Sequence, residues 1–224
     1  MTDLENRRPL KSRNTGWARR LATFLAKGRV HPNLISATSV ALAVLGGALL
    51  AMSGLLPDWA RPIALLIAAA CVQGRLLCNL LDGMVAVEHG SGSATGPIWN
   101  ELPDRFADLL FLVGAGYAAD GLGWTAGPAL GWLAAALAIL SAYVRELGRG
   151  LGFPADFSGP MAKPHRMAAL TFLCVVAAAE PLWGGHGLVM TAGLVVIVAL
   201  TAVTVIRRVA LLAARLKARA AAQA

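Results

Sequence analysis

Charge is sparse in this sequence. Only 14% of its 224 residues are Asp, Glu, Lys or Arg, against roughly 25% in an average soluble domain. That shortage excludes a chain solvated mainly by water. Cysteine is scarce too. Cys71, Cys78 and Cys174 are odd in number and lie inside apolar runs, which argues against a disulfide framework and makes each a small packing residue. There is no internal repeat, no second domain and no low-complexity linker. Two matching halves, the mark of an inverted-repeat transporter, are therefore missing. The first long apolar run starts only after some 30 polar and basic residues and no small-residue cleavage site follows it, so no removed signal peptide is expected.

What the chain has in quantity is apolar sequence, 57% of all residues. It falls into blocks of about 20, the length an α-helix needs to cross ~30 Å of hydrocarbon. Spans are expected at 34–53, 62–87, 97–119, 127–148, 161–180 and 187–210. The predicted fold class is all-α: a polytopic membrane protein of six transmembrane helices with an N-terminal interfacial amphipathic helix. Residues 1–33 would form a cytoplasmic segment, 34–210 the membrane domain and 211–224 a basic cytoplasmic tail that continues the last helix.

The net charge of +8 invites a nucleic-acid reading, but its placement excludes it. Arg7, Arg8, Lys11, Arg13, Arg19, Arg20, Lys27 and Arg29 precede span one. Arg207, Arg208, Arg215, Lys217 and Arg219 follow the core of span six, and Arg145, Arg149, Lys163 and Arg166 flank the loop between spans four and five. The opposite loops hold Asp58, Arg61, Asp120 and Glu180. This is the positive-inside pattern, with both termini cytoplasmic and the basic residues drawn to anionic lipid. A multi-pass protein of a bacterial-type inner membrane follows.

Between positions 14 and 30, Trp17, Leu21, Phe24 and Leu25 recur at helical spacing while Arg19, Arg20 and Lys27 take other faces, as in a helix lying along a membrane surface. His31-Pro32-Asn33 breaks the chain before span one, with Asn33 available as a cap. Pro62 is placed as a first helical residue of span two. The polar run from Glu88 to Pro97 reads as a loop.

Charged side chains inside spans are costly and mark functional sites. On span two, Arg75, Asn79, Asp82 and Ala86 fall at spacings of 4, 3 and 4, one face of a helix. On span three, Glu101, Asp104 and Asp108 do the same. Span two runs inward and span three outward, so Asp82, Asp104 and Asp108 are expected at similar depth on adjacent helices. Acids so crowded would protonate unless a cation neutralised them, and oxygen donors without His or Cys suit Mg²⁺, Mn²⁺ or Ca²⁺. The plainer alternative pairs Arg75 with Asp82, and pairs Asp104 with Arg105 or has it cap the start of span three. Gly83 inside a span costs ~1 kcal/mol against alanine; close helix packing or close approach of a ligand would justify it.

These residues resemble the signature of the CDP-alcohol phosphatidyltransferases, D-x2-D-G-x2-A-R-x8-G-x3-D-x3-D. Asp82, Gly83, Ala86 and Gly96 match at the family spacing, while Asn79 and Val87 stand where the family has Asp and Arg. Strict spacing from Gly96 sets the last two acids at Asn100 and Asp104; one further helical turn sets them at Asp104 and Asp108, which keeps three carboxylates and is favoured. The resemblance implies metal-dependent transfer of a substituted phosphoryl group from a CDP-linked alcohol, often CDP-diacylglycerol, to an acceptor hydroxyl, with release of CMP in phospholipid synthesis. It implies Mg²⁺ or Mn²⁺, two ions in all, held by Asn79, Asp82, Asp104 and Asp108, with Glu101 replacing the lost carboxylate. Asp108 would be the base, and Gly83, Ala86 and Gly96 would lie near the nucleotide. Arg75, Arg145, Lys163 and Arg166 would serve the substrate. The partners implied are a CDP-linked lipid, an acceptor alcohol and membrane lipids, with no nucleic acid, and a homodimer is compatible with the pattern. The acceptor is not specified. A cation transporter or channel, and a non-catalytic nucleotide-lipid-binding relative, are the alternatives.

Overall fold

The computed structural model describes residues 15–28, 30–88 and 95–223. Helix α1 covers Gly16–Lys27, α2 Pro32–Ser53, α3 Arg61–Glu88, α4 Gly96–Asp120, α5 Gly127–Gly150, α6 Lys163–Ala179 and α7 Leu188–Ala221. A short 3₁₀ turn, Glu180–Trp183, joins the last two. No strand occurs among the described residues. Each of the six expected spans coincides with one long helix to within a few residues, except that α7 runs unbroken to Ala221.

Five of the helices, α2, α3, α5, α6 and α7, are long and apolar enough to cross a membrane, and the chain is an integral membrane protein. Helix α4 is long enough, at 25 residues or about 38 Å, but it carries Glu101, Asp104, Arg105 and Asp108 in its first half. The charges that weaken it as an apolar span are the ones that make it interesting.

Two local expectations change. The cap before α2 is His31, whose Nδ1 accepts from the Asn33 backbone N–H at 3.2 Å. Pro32 takes the first helical position, so Asn33 is already inside the helix and donates instead of capping. Helix α3 begins at Arg61, one residue ahead of Pro62. Of the loop expected between Glu88 and Pro97, residues 89–94 lie outside the described residues, as do Arg29 and everything before Thr15.

The six long helices close a ring in which α2 touches α3 and α4, α3 touches α6, α6 touches α7, α7 touches α5, and α5 touches α4. Small residues set the close contacts on the α4 side. A Cβ on Gly114 would lie 2.4 Å from the Gly47 carbonyl oxygen of α2, and one on Gly116 would lie 2.5 Å from the Gly127 carbonyl oxygen of α5. Only glycine permits backbones that near. By contrast α3 and α4 scarcely meet. The gap between them is where the intramembrane charges collect. Opposite it in the chain, Arg61 at the start of α3 binds Glu180 at 2.8 Å, both buried. Glu180 also accepts from the backbone N–H groups of Gly187 and Val189, so this buried charge is fully partnered.

Candidate active site

Helix periodicity sets Arg75, Asn79 and Asp82 on one face of α3. Asp82 is 7% exposed. Its Oδ2 accepts from the Ser36 hydroxyl of α2 at 2.9 Å and its Oδ1 from the Gly83 N–H at 2.6 Å, so the carboxylate is aimed before any ligand arrives. Among the described residues, a Cβ built on Gly83 would meet nothing within 4 Å, so packing against them does not require this glycine.

Across the gap, Asp104 on α4 is clamped by two cations: Arg75 Nη2 donates to Oδ1, and Lys163 Nζ, at the start of α6, to Oδ2. The Arg105 guanidinium stands 3.9 Å away. One turn further along α4, Asp108 is wholly buried, and its Oδ2 accepts from Arg166 Nη2 at 2.6 Å. Arg166 also donates to the Met161 carbonyl at 3.1 Å. Asp108 Oδ1 and the Arg75 Nε and Nη1 have no hydrogen-bond partner among the described residues, although all are buried. Buried polar atoms left in that state are uncommon and point to a missing partner.

Asp82 and Asp104 lie close enough for their charges to act on each other. Arg75, Lys163 and Arg166 all act on Asp108. With Arg105, which lies 3.9 Å from Asp104 and also acts on Asp108, seven groups form one electrostatic unit. It is not, however, a nest of three free carboxylates: no group of three or more acidic, His or Cys side chains is placed to hold a metal among the described residues. Asp108 has Arg166 as its partner, and the plainer pairing of Arg75 with Asp82 gives way to Arg75 with Asp104. Glu101 is held by Arg105 at 2.8 Å and by Arg145 of α5 at 2.6 Å. Its partner at the next turn of the helix, Arg105, competes with any ion for it. The donors with no cation bonded to them are Asp82 and the half-buried Asn79, and Asp104 would join them only by exchanging Arg75 or Lys163 for an ion; the set is oxygen-only, the kind that suits a hard divalent ion.

Of the remaining residues singled out in the sequence, Ala86 ends the α3 face and Gly96 opens α4. Their surroundings lie outside the described residues, as does the Asn100 side chain. Arg145 also binds Glu146 at 2.8 Å and lies over the Phe157 ring at 5.5 Å.

Arg145 further lines a narrow cleft between α5 and α7, with a free volume of about 10 Å³, together with Asp156, Arg208 and Arg215. Arg208 is fixed by the carbonyl oxygens of Ser158 at 3.0 Å and Ser141 at 2.7 Å. Burial raises the Asp156 pKa, but Ser158 hydrogen bonds and the Arg208 and Arg215 charges outweigh it, so the acid stays below its ordinary range. Sequence reasoning missed Ser36 and this cleft. A serine in an apolar span usually bonds its own helix, as Ser36 also does to the Pro32 carbonyl, so nothing local marks it. Asp156 sits in a loop where only the fold brings α7 near.

No protein-family model matches the sequence, and no curated protein matches it. Solved structures do. Phosphatidylinositol phosphate synthase (PgsA1) of Mycobacterium tuberculosis, in complex with manganese and citrate, superposes with a TM-score of 0.65 at 18% identity, over 87% of this chain and 88% of that one. The chain has that synthase's fold. The same synthase with CDP-DAG bound gives 0.65 at 18% identity, over 87% and 92% of the two chains. Its apo form gives 0.60 at 17%, over 85% and 93%.

Proposed function

We propose that this chain is a membrane phosphotransferase that moves a substituted phosphoryl group from a CDP-linked alcohol, CDP-diacylglycerol in the first instance, to an acceptor hydroxyl, releasing CMP. One observation carries the reading. The residues that resemble the CDP-alcohol signature, Asp82-Gly83 on α3 and Asp104 on α4, face each other across the α3–α4 gap of a fold shared with a synthase solved with CDP-DAG and with manganese. Likeness at 18% identity supplies the fold, and the residues supply the chemistry.

Asp82, Asp104 and Asn79 would hold a divalent ion. When bound, that ion polarises the pyrophosphate and neutralises charge developing on the transferred group. The space beside Gly83 that no described residue fills receives the pyrophosphate. Arg75 and Lys163 place two positive charges beside it. The acceptor oxygen forms its bond to the β-phosphorus as the bond to the CMP oxygen breaks, and a carboxylate takes the acceptor proton. Asp104 is 8% exposed and Asp108 0%, so Asp104 lies nearer the opening, and its carboxylate takes a proton once Arg75 or Lys163 gives up an oxygen. The strict register, ending at Asp104, therefore suits the chemistry better, and Asp108 becomes the anchor of Arg166.

In this reading α4 is the sixth transmembrane helix and both termini and the site are cytoplasmic. Helix α1 lies in the interface, where its exposed Trp17 and Phe24 meet lipid. The test is CMP release from CDP-diacylglycerol by the purified protein in nanodiscs, with and without Mg²⁺ or Mn²⁺, across phosphorylated and neutral polyols, serine and a lipid alcohol. Divalent-dependent release with one class of acceptor supports the reading. Metal and nucleotide binding without release from any acceptor would make the chain a non-catalytic relative.

A further inference from the structure

A hard divalent ion takes about six oxygen ligands, and most acids of the gap are already engaged. Asp104 is bonded to Arg75 and Lys163, Asp108 to Arg166, and Glu101 to Arg105 and Arg145. Asp82 has no cation bonded to it, and its two oxygens are held in different ways. Oδ1 accepts from the Gly83 backbone N–H at 2.6 Å, a donor that cannot turn aside. Oδ2 accepts from the Ser36 hydroxyl at 2.9 Å, and that hydroxyl has a second acceptor in reach, the Pro32 carbonyl at 3.2 Å. A hydroxyl carries one proton and two lone pairs. Turning the proton to Pro32 frees Oδ2 and leaves an Oγ lone pair beside it. Packing keeps the two side chains together: Ile35, next to Ser36, is buried in one cluster with Leu81, next to Asp82, and Ala18 and Ala22 of α1 close that cluster.

We infer that Ser36 is a ligand of the divalent ion, its Oγ binding beside Asp82 Oδ2 once its proton has turned to the Pro32 carbonyl. This rests on the metal-dependent reaction proposed above. Neighbouring ligands at ~2.1 Å from an octahedral Mg²⁺ stand about 2.9 Å apart, the separation that Oγ and Oδ2 already have. A serine or threonine hydroxyl is a hard, uncharged oxygen donor, the kind that holds Mg²⁺ in the phosphate-binding loops of nucleotide hydrolases. It adds a ligand without adding a further acid to a crowded, buried site. Asp82, Asn79 and Ser36 then give the ion three oxygen donors from α2 and α3 that no arginine or lysine is bonded to. A hydroxyl that only aimed Asp82 would not touch the ion, and the hardness or softness of the atom at that position would not matter to it.

The experiment titrates Mn²⁺ alone onto the purified full chain in phosphatidylcholine nanodiscs, following free Mn²⁺ by electron paramagnetic resonance, and titrates Cd²⁺ in parallel, following thiolate-to-cadmium charge-transfer absorption. Ser36→Ala is expected to bind Mn²⁺ at least about tenfold more weakly than wild type. Ser36→Cys puts a soft sulfur in place of the oxygen and is expected to lose Mn²⁺ affinity to the same extent while gaining Cd²⁺ affinity by about tenfold or more; Cys71, Cys78 and Cys174 set the wild-type background. Ser53→Ala removes a buried hydroxyl at the far end of α2 that bonds Leu50 of its own helix, and both titrations should match wild type. Wild-type Mn²⁺ affinity in Ser36→Ala overturns the inference and leaves the proposed function intact. A Ser36→Cys chain that gains no Cd²⁺ affinity also overturns it, because Ser36 then aims Asp82 without touching the ion. Absence of saturable Mn²⁺ binding by wild type overturns the metal part of the proposed function and this inference with it. If Ser36→Ala does not fold, the two Ser36→Cys titrations decide.

Discussion

Replacing Asp104 by Asn keeps the side chain's shape and removes its charge. It leaves Arg75, wholly buried, and Lys163 facing a neutral amide. Breaking a buried pair by removing one partner costs about 3–5 kcal/mol; the amide oxygen still accepts hydrogen bonds, which lowers the expected loss of stability to about 2–3 kcal/mol. If Asp104 takes the acceptor proton, turnover also falls by about 10²–10⁴, or about 3–5 kcal/mol of barrier. Asp108→Asn is the matched control. Its partner Arg166 is equally buried, so the stability loss is comparable, but the group does not touch the reactants. The assay is CMP release normalised to folded protein, with the folded fraction taken from size exclusion and thermal unfolding. Asp104→Asn is expected to lose at least a hundredfold in kcat, and Asp108→Asn less than about tenfold. Full turnover by Asp104→Asn with a dead but folded Asp108→Asn would refute the assignment and return the base to Asp108.

Three other perturbations test separate parts of the structure. Arg61→Met strands the buried Glu180 with only two backbone donors and is expected to cost about 3–5 kcal/mol in unfolding while leaving kcat of the folded enzyme unchanged. Gly83→Ala should fold normally, since a Cβ there meets nothing within 4 Å among the described residues, whereas Gly83→Leu fills the same space and is expected to raise KM for the CDP-linked lipid by about tenfold or more; equal KM values would mean the pyrophosphate lies elsewhere. Asp156 stays below its ordinary pKa, so the stability it contributes is present above the unfolded value of 3.8 and fades as pH falls through the lower folded value. The difference in unfolding between wild type and Asp156→Asn should therefore be constant at neutral pH and shrink below about pH 4. A difference that grows on acidification would contradict the electrostatic account of the cleft.

The helices were legible because hydrocarbon imposes length and composition at once, and every long apolar block became a helix. The faces of α3 and α4 followed from 3.6-residue periodicity, which is why Arg75 meets Asp104 and Asp82 lies near enough to Asp104 for their charges to act on each other. Their pairing was not legible. Periodicity says which face a residue occupies but not which neighbour at similar depth it bonds, and Arg75 reaches Asp104 on α4 in preference to Asp82 on its own helix. Lys163 and Arg166 enter from α6, 59 and 58 residues away from their acids, a distance over which no local pattern exists. Glu101 misled for the opposite reason: its helical spacing was right, but Arg105 and Arg145 had a stronger claim on it. The His31 cap escaped because Pro32 shifts the helix start by one residue from where Asn33 alone would set it.

The central claim is that a divalent ion and the pyrophosphate of a CDP-linked lipid meet in the gap between α3 and α4. Anomalous scattering at the manganese edge, from crystals of the chain grown with Mn²⁺ and CDP-diacylglycerol, tests it most directly. The account predicts a peak between Asp82 and Asp104, with the pyrophosphate against Gly83. A manganese peak away from both carboxylates, or a nucleotide bound elsewhere on the ring, would contradict it.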